Sequence, residues 1–143
     1  MRKVKLALIA MLIVLTLDLQ AADRQEADLS FAEKAIVEKK IAALRGQADR
    51  RLAEGWTNSK KVAELICRPA ALPVIRKQAK SADRVFLGMG TPDSLTLERN
   101  DLLTGAGQYR TPQGWKEFRF TCKVNAETGK VTSFEAVPRN DSH

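Results

Sequence analysis

The sequence predicts an α+β fold, with helices in the first half of the mature chain and an antiparallel sheet in the second. Apolar residues recur at spacings of three and four until about residue 78, and apolar and polar residues alternate from Arg84 onward. Cys67 and Cys122 lie one in each half. We therefore expect an N-terminal amphipathic helix and a broken, cysteine-bearing helix, both packed on an antiparallel sheet of four to five strands.

Residues 1–21 are typical of a secretory signal peptide. Three basic residues precede an uncharged apolar run over 6–17, and Ala21 and Ala22 supply small residues where a signal peptidase cuts. Twelve residues span about 18 Å as a helix, whereas a bilayer core measures roughly 30 Å, so no transmembrane anchor is expected after processing. We predict a periplasmic or secreted protein.

The charge of the mature chain indicates which partners to expect. Removal of residues 1–21 leaves 21 basic and 16 acidic residues. A small positive charge suits an envelope protein or an anionic envelope polymer, although its field is screened within roughly 8 Å at physiological salt. Nucleic acid is not expected, because no stretch interleaves aromatic residues with a basic patch.

The two cysteines, Cys67 and Cys122, predict one structural disulfide. An oxidising compartment favours the bond, and a closed loop of about 55 residues raises the free energy of the unfolded chain by roughly 4 kcal/mol in the chain-entropy model. A redox-active or metal-binding pair is the alternative. The absence of a Cys-x-x-Cys motif and of any internal histidine disfavours it.

The segment 22–57 is predicted to be an amphipathic helical segment. Ser30 and Glu33 form a capping box, so the helix should begin there, and Gly55 is a plausible end. The helix over 30–54 has a narrow apolar stripe, made by Val37, Ile41, Leu44, Ala48 and Leu52. This stripe either docks on the domain or self-associates with a second copy. Gly46 and the small number of heptads disfavour an isolated coiled coil.

The segment 58–140 is predicted to be a small disulfide-linked α+β domain. Its first part is a helix that carries Cys67, interrupted at Pro69, followed by a short helix over 70–78 perturbed at Pro73. Strands then follow in a meander, over 84–89, 94–98, 103–110, 115–124 and 131–137.

The fourth of these strands shows the clearest alternation. Phe118, Phe120, Cys122 and Val124 fall on one face, and the intervening polar residues fall on the other. The loop over 125–129 ends in a glycine, which suits a hairpin. In the preceding strand, Gly105 and Gly107 indicate a bulge or a close approach of another backbone.

Little in the sequence predicts catalysis, so no catalytic residue, metal ligand or cofactor is assigned. The only histidine is His143, the last residue, which disfavours Ser-His-Asp and Cys-His sites and removes the usual nitrogen ligand of zinc. One enzyme hypothesis stays open, in which two of Glu64, Glu117 and Glu135 act as acid and base across a cleft.

A binding surface is predicted around the turn that precedes the fourth strand. Tyr109 and Trp115 flank this turn, and an exposed pair of aromatic residues would form a platform for sugar or peptide. Arg110 and Arg119 would bind an anion beside it. The alternatives are that the aromatic residues pack over the sheet edge and that both arginines are ordinary solvent-facing strand residues. The segment 103–109 also loosely resembles the glycine-tyrosine loop of periplasmic lysozyme inhibitors.

The cysteine helix and the residues from Gly105 to Phe134 share a pattern with a known family. The pattern comprises Ile66-Cys67, the strand opening at 105–110, Trp115, the run 118–122 and the run 131–134. With these residues, the last 80 or so residues resemble the uncharacterised bacterial secreted family called domain of unknown function 930. The resemblance implies an envelope location and a two-cysteine domain, and it implies no activity.

These observations favour an exported, non-enzymatic protein that binds a partner or associates with the envelope. A periplasmic inhibitor of a hydrolase such as lysozyme and an unrecognised carboxylate-dependent enzyme are the alternatives.

Overall fold

The computed structural model describes residues 26–139, so the predicted signal peptide and His143 lie outside the described residues. The α+β class is confirmed: helices precede a five-stranded antiparallel sheet and pack on one of its faces. The helices are α1 (Phe31–Ala42), α2 (Gln47–Glu54), α3 (Asn58–Val62), a π-helical turn (Ala63–Cys67) and α4 (Arg68–Gln78). The strands are β1 (Arg84–Leu87), β2 (Leu95–Arg99), β3 (Leu102–Thr111), β4 (Gly114–Asn125) and β5 (Lys130–Pro138).

The helix expected over 30–54 is two helices. Its start is as predicted, because the Glu33 backbone N–H donates to Ser30 Oγ (3.2 Å) and the Ser30 N–H donates to Glu33 Oε2 (2.7 Å). The helix ends at Ala42, and Gly46 becomes the N-cap of α2. Glycine favours such a break because it loses the most backbone entropy in a helix.

Part of the apolar stripe of this segment packs against the cysteine helix. Val37 and Ile41 are buried in the same core as the strands, and Ala53 joins them from α2. Ala48 is exposed and the Leu52 side chain is 65% exposed, contrary to their places in the predicted stripe. The break between α1 and α2 changes which side of α2 faces the core. A single helical period therefore does not predict the buried residues of both helices.

The cysteine helix is not interrupted at Pro69, contrary to the prediction. Helical structure runs from Asn58 to Gln78, and a π-helical turn absorbs the disturbance, with the Arg68 backbone N–H donating to the Ala63 carbonyl. Proline has no N–H to donate to the carbonyl four residues earlier, here Leu65. Lys40 Nζ of α1 donates to that carbonyl instead. A contact from a distant helix therefore satisfies the backbone at the proline.

The sheet departs from a simple meander at its first strand. β3 pairs with β4 along its whole length, and β4 pairs with β5. On its other side, β3 pairs with β1 through 107–110 and with β2 through 102–105. β1 and β2 therefore lie end to end on one edge of β3 and do not pair with each other, because the chain makes an excursion over 88–94.

Two glycines in β3 make room for the neighbouring strands β1 and β2. A Cβ on Gly107 would lie 2.5 Å from the Phe86 carbonyl oxygen and 2.7 Å from Phe118 Cζ, and a Cβ on Gly105 would collide with the Ser94 carbonyl oxygen. The predicted close approach of another backbone at these two glycines is confirmed.

The core lies between the helices and one face of the sheet. Phe118, Phe120, Cys122 and Val124 point into it, as the alternation in β4 predicts. The Cys67–Cys122 disulfide is present, with Cα atoms 6.2 Å apart and both residues fully buried. It joins the π-helical turn to the centre of the sheet, so it links the two layers of the fold.

The other face of the sheet, which we call the open face, has no helix on it within residues 26–139. None of its side chains is buried, whereas the opposite face supplies the core. No helix in that same range is long and apolar enough to cross a membrane.

Candidate functional site

Strand pairing brings an arginine-rich row to one corner of the open face. Arg84 of β1 lies opposite Arg110 of β3, and Arg110 lies opposite Trp115 of β4. Phe86 occupies the next outward position on β1. Partners in an antiparallel ladder project from the same face, so these side chains are neighbours. We call Arg84, Phe86, Arg110 and Trp115 the aromatic–arginine surface.

The two aromatic rings of this surface stack on each other in solvent. The Phe86 and Trp115 ring centroids are 5.6 Å apart, with 28° between the ring planes. The side chains nevertheless stay 38% and 46% exposed. Aromatic side chains contribute most to stability when they are fully buried, and neighbouring exposed aromatic residues are enriched at binding sites. The pair is therefore available to a ligand.

Guanidinium groups flank both rings. Arg110 Cζ lies 6.0 Å from the Trp115 ring centroid, and Arg68 Cζ of α4 lies 4.7 Å from the Phe86 centroid. Arg110 also donates two hydrogen bonds to Asp83, from Nε (3.0 Å) and Nη2 (2.7 Å). These hydrogen bonds lower the pKa of Asp83 and raise the pKa of Arg110. The bidentate pair holds the Arg110 guanidinium beside Trp115.

Arg84 is the arginine of this surface that has no hydrogen-bonded carboxylate, although its charge also helps to lower the pKa of Asp83. It lies directly opposite Arg110, and like charges in that arrangement repel each other. Asp83 neutralises Arg110, whereas no carboxylate of residues 26–139 lies within 4 Å of the Arg84 guanidinium. An anion bound here would supply Arg84 with the hydrogen-bond acceptor that Asp83 supplies to Arg110.

The structure divides the predicted site residues. Arg110 and Trp115 belong to the surface, but Tyr109 points to the opposite face and packs beside the core, with its ring centroid 6.0 Å from that of Phe118. Tyr109 and Trp115 therefore do not form a platform together. Phe86, which the sequence analysis did not select, takes the place of Tyr109. Its position between buried Val85 and Leu87 is the signal that places it outward.

Arg119 is on the open face but lies further along β4. It borders a groove of about 280 Å³ lined by Thr104, Arg119, Phe120, Thr121, Glu135 and Val137. We call this the Arg119 groove. A larger groove of about 510 Å³ lies between α4 and β1, where Glu64 is paired with Arg68 (2.8 Å) and Asp83 with Arg110.

The three glutamates of the enzyme hypothesis occupy separate places. Glu64 is on the helical layer, Glu117 pairs with Arg139 (2.8 Å) on the open face, and Glu135 borders the Arg119 groove. Glu135 lies opposite Thr121, four residues along β4 from Glu117, which corresponds to about 13 Å between their backbone positions. Within residues 26–139, no three or more His, Cys, Asp and Glu residues are grouped as metal ligands.

The segment 103–109, compared above with an inhibitor loop, is the middle of β3. It is paired on both sides, with β1 and β2 on one and β4 on the other. It therefore cannot be inserted into another protein's active site as a loop.

Comparison with family models, curated proteins and solved structures found no match for this chain. Its function is therefore argued from the geometry of its own surfaces.

Proposed function

We propose that this chain is an exported, non-enzymatic binding protein, and that the aromatic–arginine surface contacts an anionic partner in the cell envelope. The observation that supports it best is the exposed stack of Phe86 and Trp115 beside Arg84, whose charge has no carboxylate partner among the described residues. Aromatic and arginine side chains are the residues most enriched where binding energy is concentrated.

The chemistry of the surface suits a ligand that combines a flat or apolar part with a negative charge. The ring faces of Phe86 and Trp115 provide the apolar area. Arg84 provides the positive charge. It also orients the ligand, because guanidinium groups bind carboxylate and phosphate with two parallel hydrogen bonds. Arg110 is already oriented by Asp83, so the surface needs little rearrangement before binding.

The envelope location is supported by independent features. The predicted signal peptide and the resemblance to domain of unknown function 930 both favour export. The buried Cys67–Cys122 disulfide is typical of proteins in oxidising compartments.

Cosedimentation of the mature protein with isolated envelope fragments tests the proposal. Trp115→Ala should weaken binding at least about fivefold, by analogy with the loss of one stacked aromatic contact. Arg84→Ala should also weaken binding at least about fivefold, because it removes a charge-assisted hydrogen bond to the anion. Phe31→Ala is the matched control, because Phe31 is a 90% exposed aromatic residue at the start of α1. Unchanged binding by both surface variants would refute the proposal.

Thermal melts of the same variants separate binding from packing. If Trp115 acts in binding, Trp115→Ala keeps nearly the wild-type stability. If Trp115 instead serves mainly to pack over the sheet edge, the substitution costs on the order of 3 kcal/mol, and the folded fraction binds as the wild type does.

A further inference from the structure

We infer that the anionic partner is a linear, carboxylate-bearing polysaccharide that lies across the open face from the aromatic–arginine surface to the Arg119 groove. This inference rests on the proposed function and adds the ligand class and a second subsite.

The Arg119 groove has the chemistry of a sugar subsite. Strand register places Thr104, Thr121 and Glu135 in one row and Arg119 beside Val137 in the next. Threonine hydroxyls both donate and accept hydrogen bonds, as sugar hydroxyls do, and a carboxylate such as Glu135 accepts them. The exposed Val137 side chain supplies apolar area next to these groups.

The two subsites are too far apart for one sugar ring. Trp115 and Arg119 project from the same face of β4 and are four residues apart. At 3.3 to 3.4 Å per residue, this corresponds to about 13 Å along the strand. A ligand that contacts both subsites is therefore an oligomer of several rings, aligned roughly with β4.

The sheet edges argue against an extended peptide as the ligand. Peptides commonly bind a sheet by adding a strand to a free edge. Here, Arg68 Nε donates to the Val85 carbonyl on the outer edge of β1 (3.0 Å), and Gln78 Nε2 donates to the Ala136 carbonyl on β5 (3.0 Å). Helix side chains thus occupy a backbone acceptor at each edge, which is how proteins block strand addition. The open face itself remains accessible.

The distribution of charge favours an acidic polysaccharide over a neutral one. Arg84 and Arg119 lie at opposite ends of the proposed path, and neither has a carboxylate partner within 4 Å among residues 26–139. Each is able to bind one carboxylate of the ligand. Glu117 lies between the two subsites on β4, where Arg139 pairs with it at 2.8 Å and balances its charge. Glu135 disfavours a carboxylate in its own part of the groove, so hydroxyl groups are expected there.

Binding of galacturonic acid oligomers, from monomer to hexamer, to the mature protein tests the inference by titration calorimetry. We expect affinity to rise at least about tenfold between the shortest oligomers and those that span both subsites. Arg119→Ala should remove most of this gain and leave the binding of short oligomers unchanged. Arg51→Ala, which removes an exposed arginine from α2, is the matched control. Neutral cellulose oligomers of the same lengths should bind at least about tenfold more weakly.

Three outcomes would overturn the inference. In the first, affinity does not depend on oligomer length. In the second, Arg119→Ala weakens the binding of short and long oligomers equally. In the third, polyglutamate binds as tightly as the hexamer and its binding depends on Arg119 in the same way. Each leaves the proposed function intact if Trp115→Ala still weakens envelope cosedimentation. If neither Trp115→Ala nor Arg84→Ala has an effect on either assay, both proposals fail.

Discussion

Reduction of the Cys67–Cys122 disulfide is expected to lower the free energy of unfolding by about 4 kcal/mol. The cysteines are 55 positions apart, and the chain-entropy relation for a loop of that size gives a loss of about 14 cal/mol/K of unfolded-state entropy, or about 4 kcal/mol at 25 °C. Both residues are fully buried and connect the helical layer to the sheet, so the native state keeps them close without the bond.

Reduced wild-type protein is the right comparison, because it retains both sulfur atoms and loses only the cross-link. For a domain of this size the melting temperature should fall by roughly 15 to 20 °C, from an unfolding entropy of about 2.1 cal/mol/K per residue. The assay is calorimetry and guanidinium denaturation with and without dithiothreitol.

The double variant Cys67→Ala/Cys122→Ala provides the control. Dithiothreitol should not change its stability. It should be less stable than the reduced wild type, because it loses the packing contacts of two sulfur atoms in the core. A loss below about 1 kcal/mol on reduction of the wild type would refute the reasoning that the cross-link stabilises the fold by restricting the unfolded chain.

Two further substitutions test the fold at single residues. Burial raises the pKa of Glu33, whose Oε1 has no partner among the described residues, so this carboxyl makes folding less favourable as pH rises above its unfolded pKa. In denaturant melts, Glu33→Gln should therefore be more stable than the wild type at pH 7, and the two stabilities should converge below about pH 4.5. A stability difference that is constant with pH would contradict this. Gly107→Ala should lower the free energy of unfolding by about 1 to 3 kcal/mol, because the added Cβ would collide with the Phe86 carbonyl and the Phe118 ring. Gly55→Ala is the control, because its Cβ would make ordinary contacts only and should not destabilise the protein. Equal melting curves for the two variants would count against the close approach.

Local patterns predicted the features that depend on neighbouring residues. The capping box of Ser30 and Glu33 forms within one helical turn, and the alternation in β4 shows directly which side chains enter the core. The disulfide was predictable because the chain contains only two cysteines. These features need no information about distant contacts.

Local sequence patterns did not predict the features that depend on residues distant in the chain. The helix continues through Pro69 after a π-helical turn, and Lys40, on another helix, donates to the Leu65 carbonyl that the proline leaves without its usual donor. The segment 30–54 breaks near Gly46, and α2 then buries Ala53 in the core instead of Leu52. Propensity alone does not contain either contact.

The sequence by itself determined the α+β class, the identity of the disulfide and the core face of β4, because periodicity and residue type decide each of them locally. Only the tertiary structure decided the candidate site. The turn between β3 and β4 pairs Arg110 with Trp115, so the neighbouring Tyr109 faces the core. Phe86 reaches Trp115 only because β1 pairs with β3, and that long-range register is set by packing of the whole sheet.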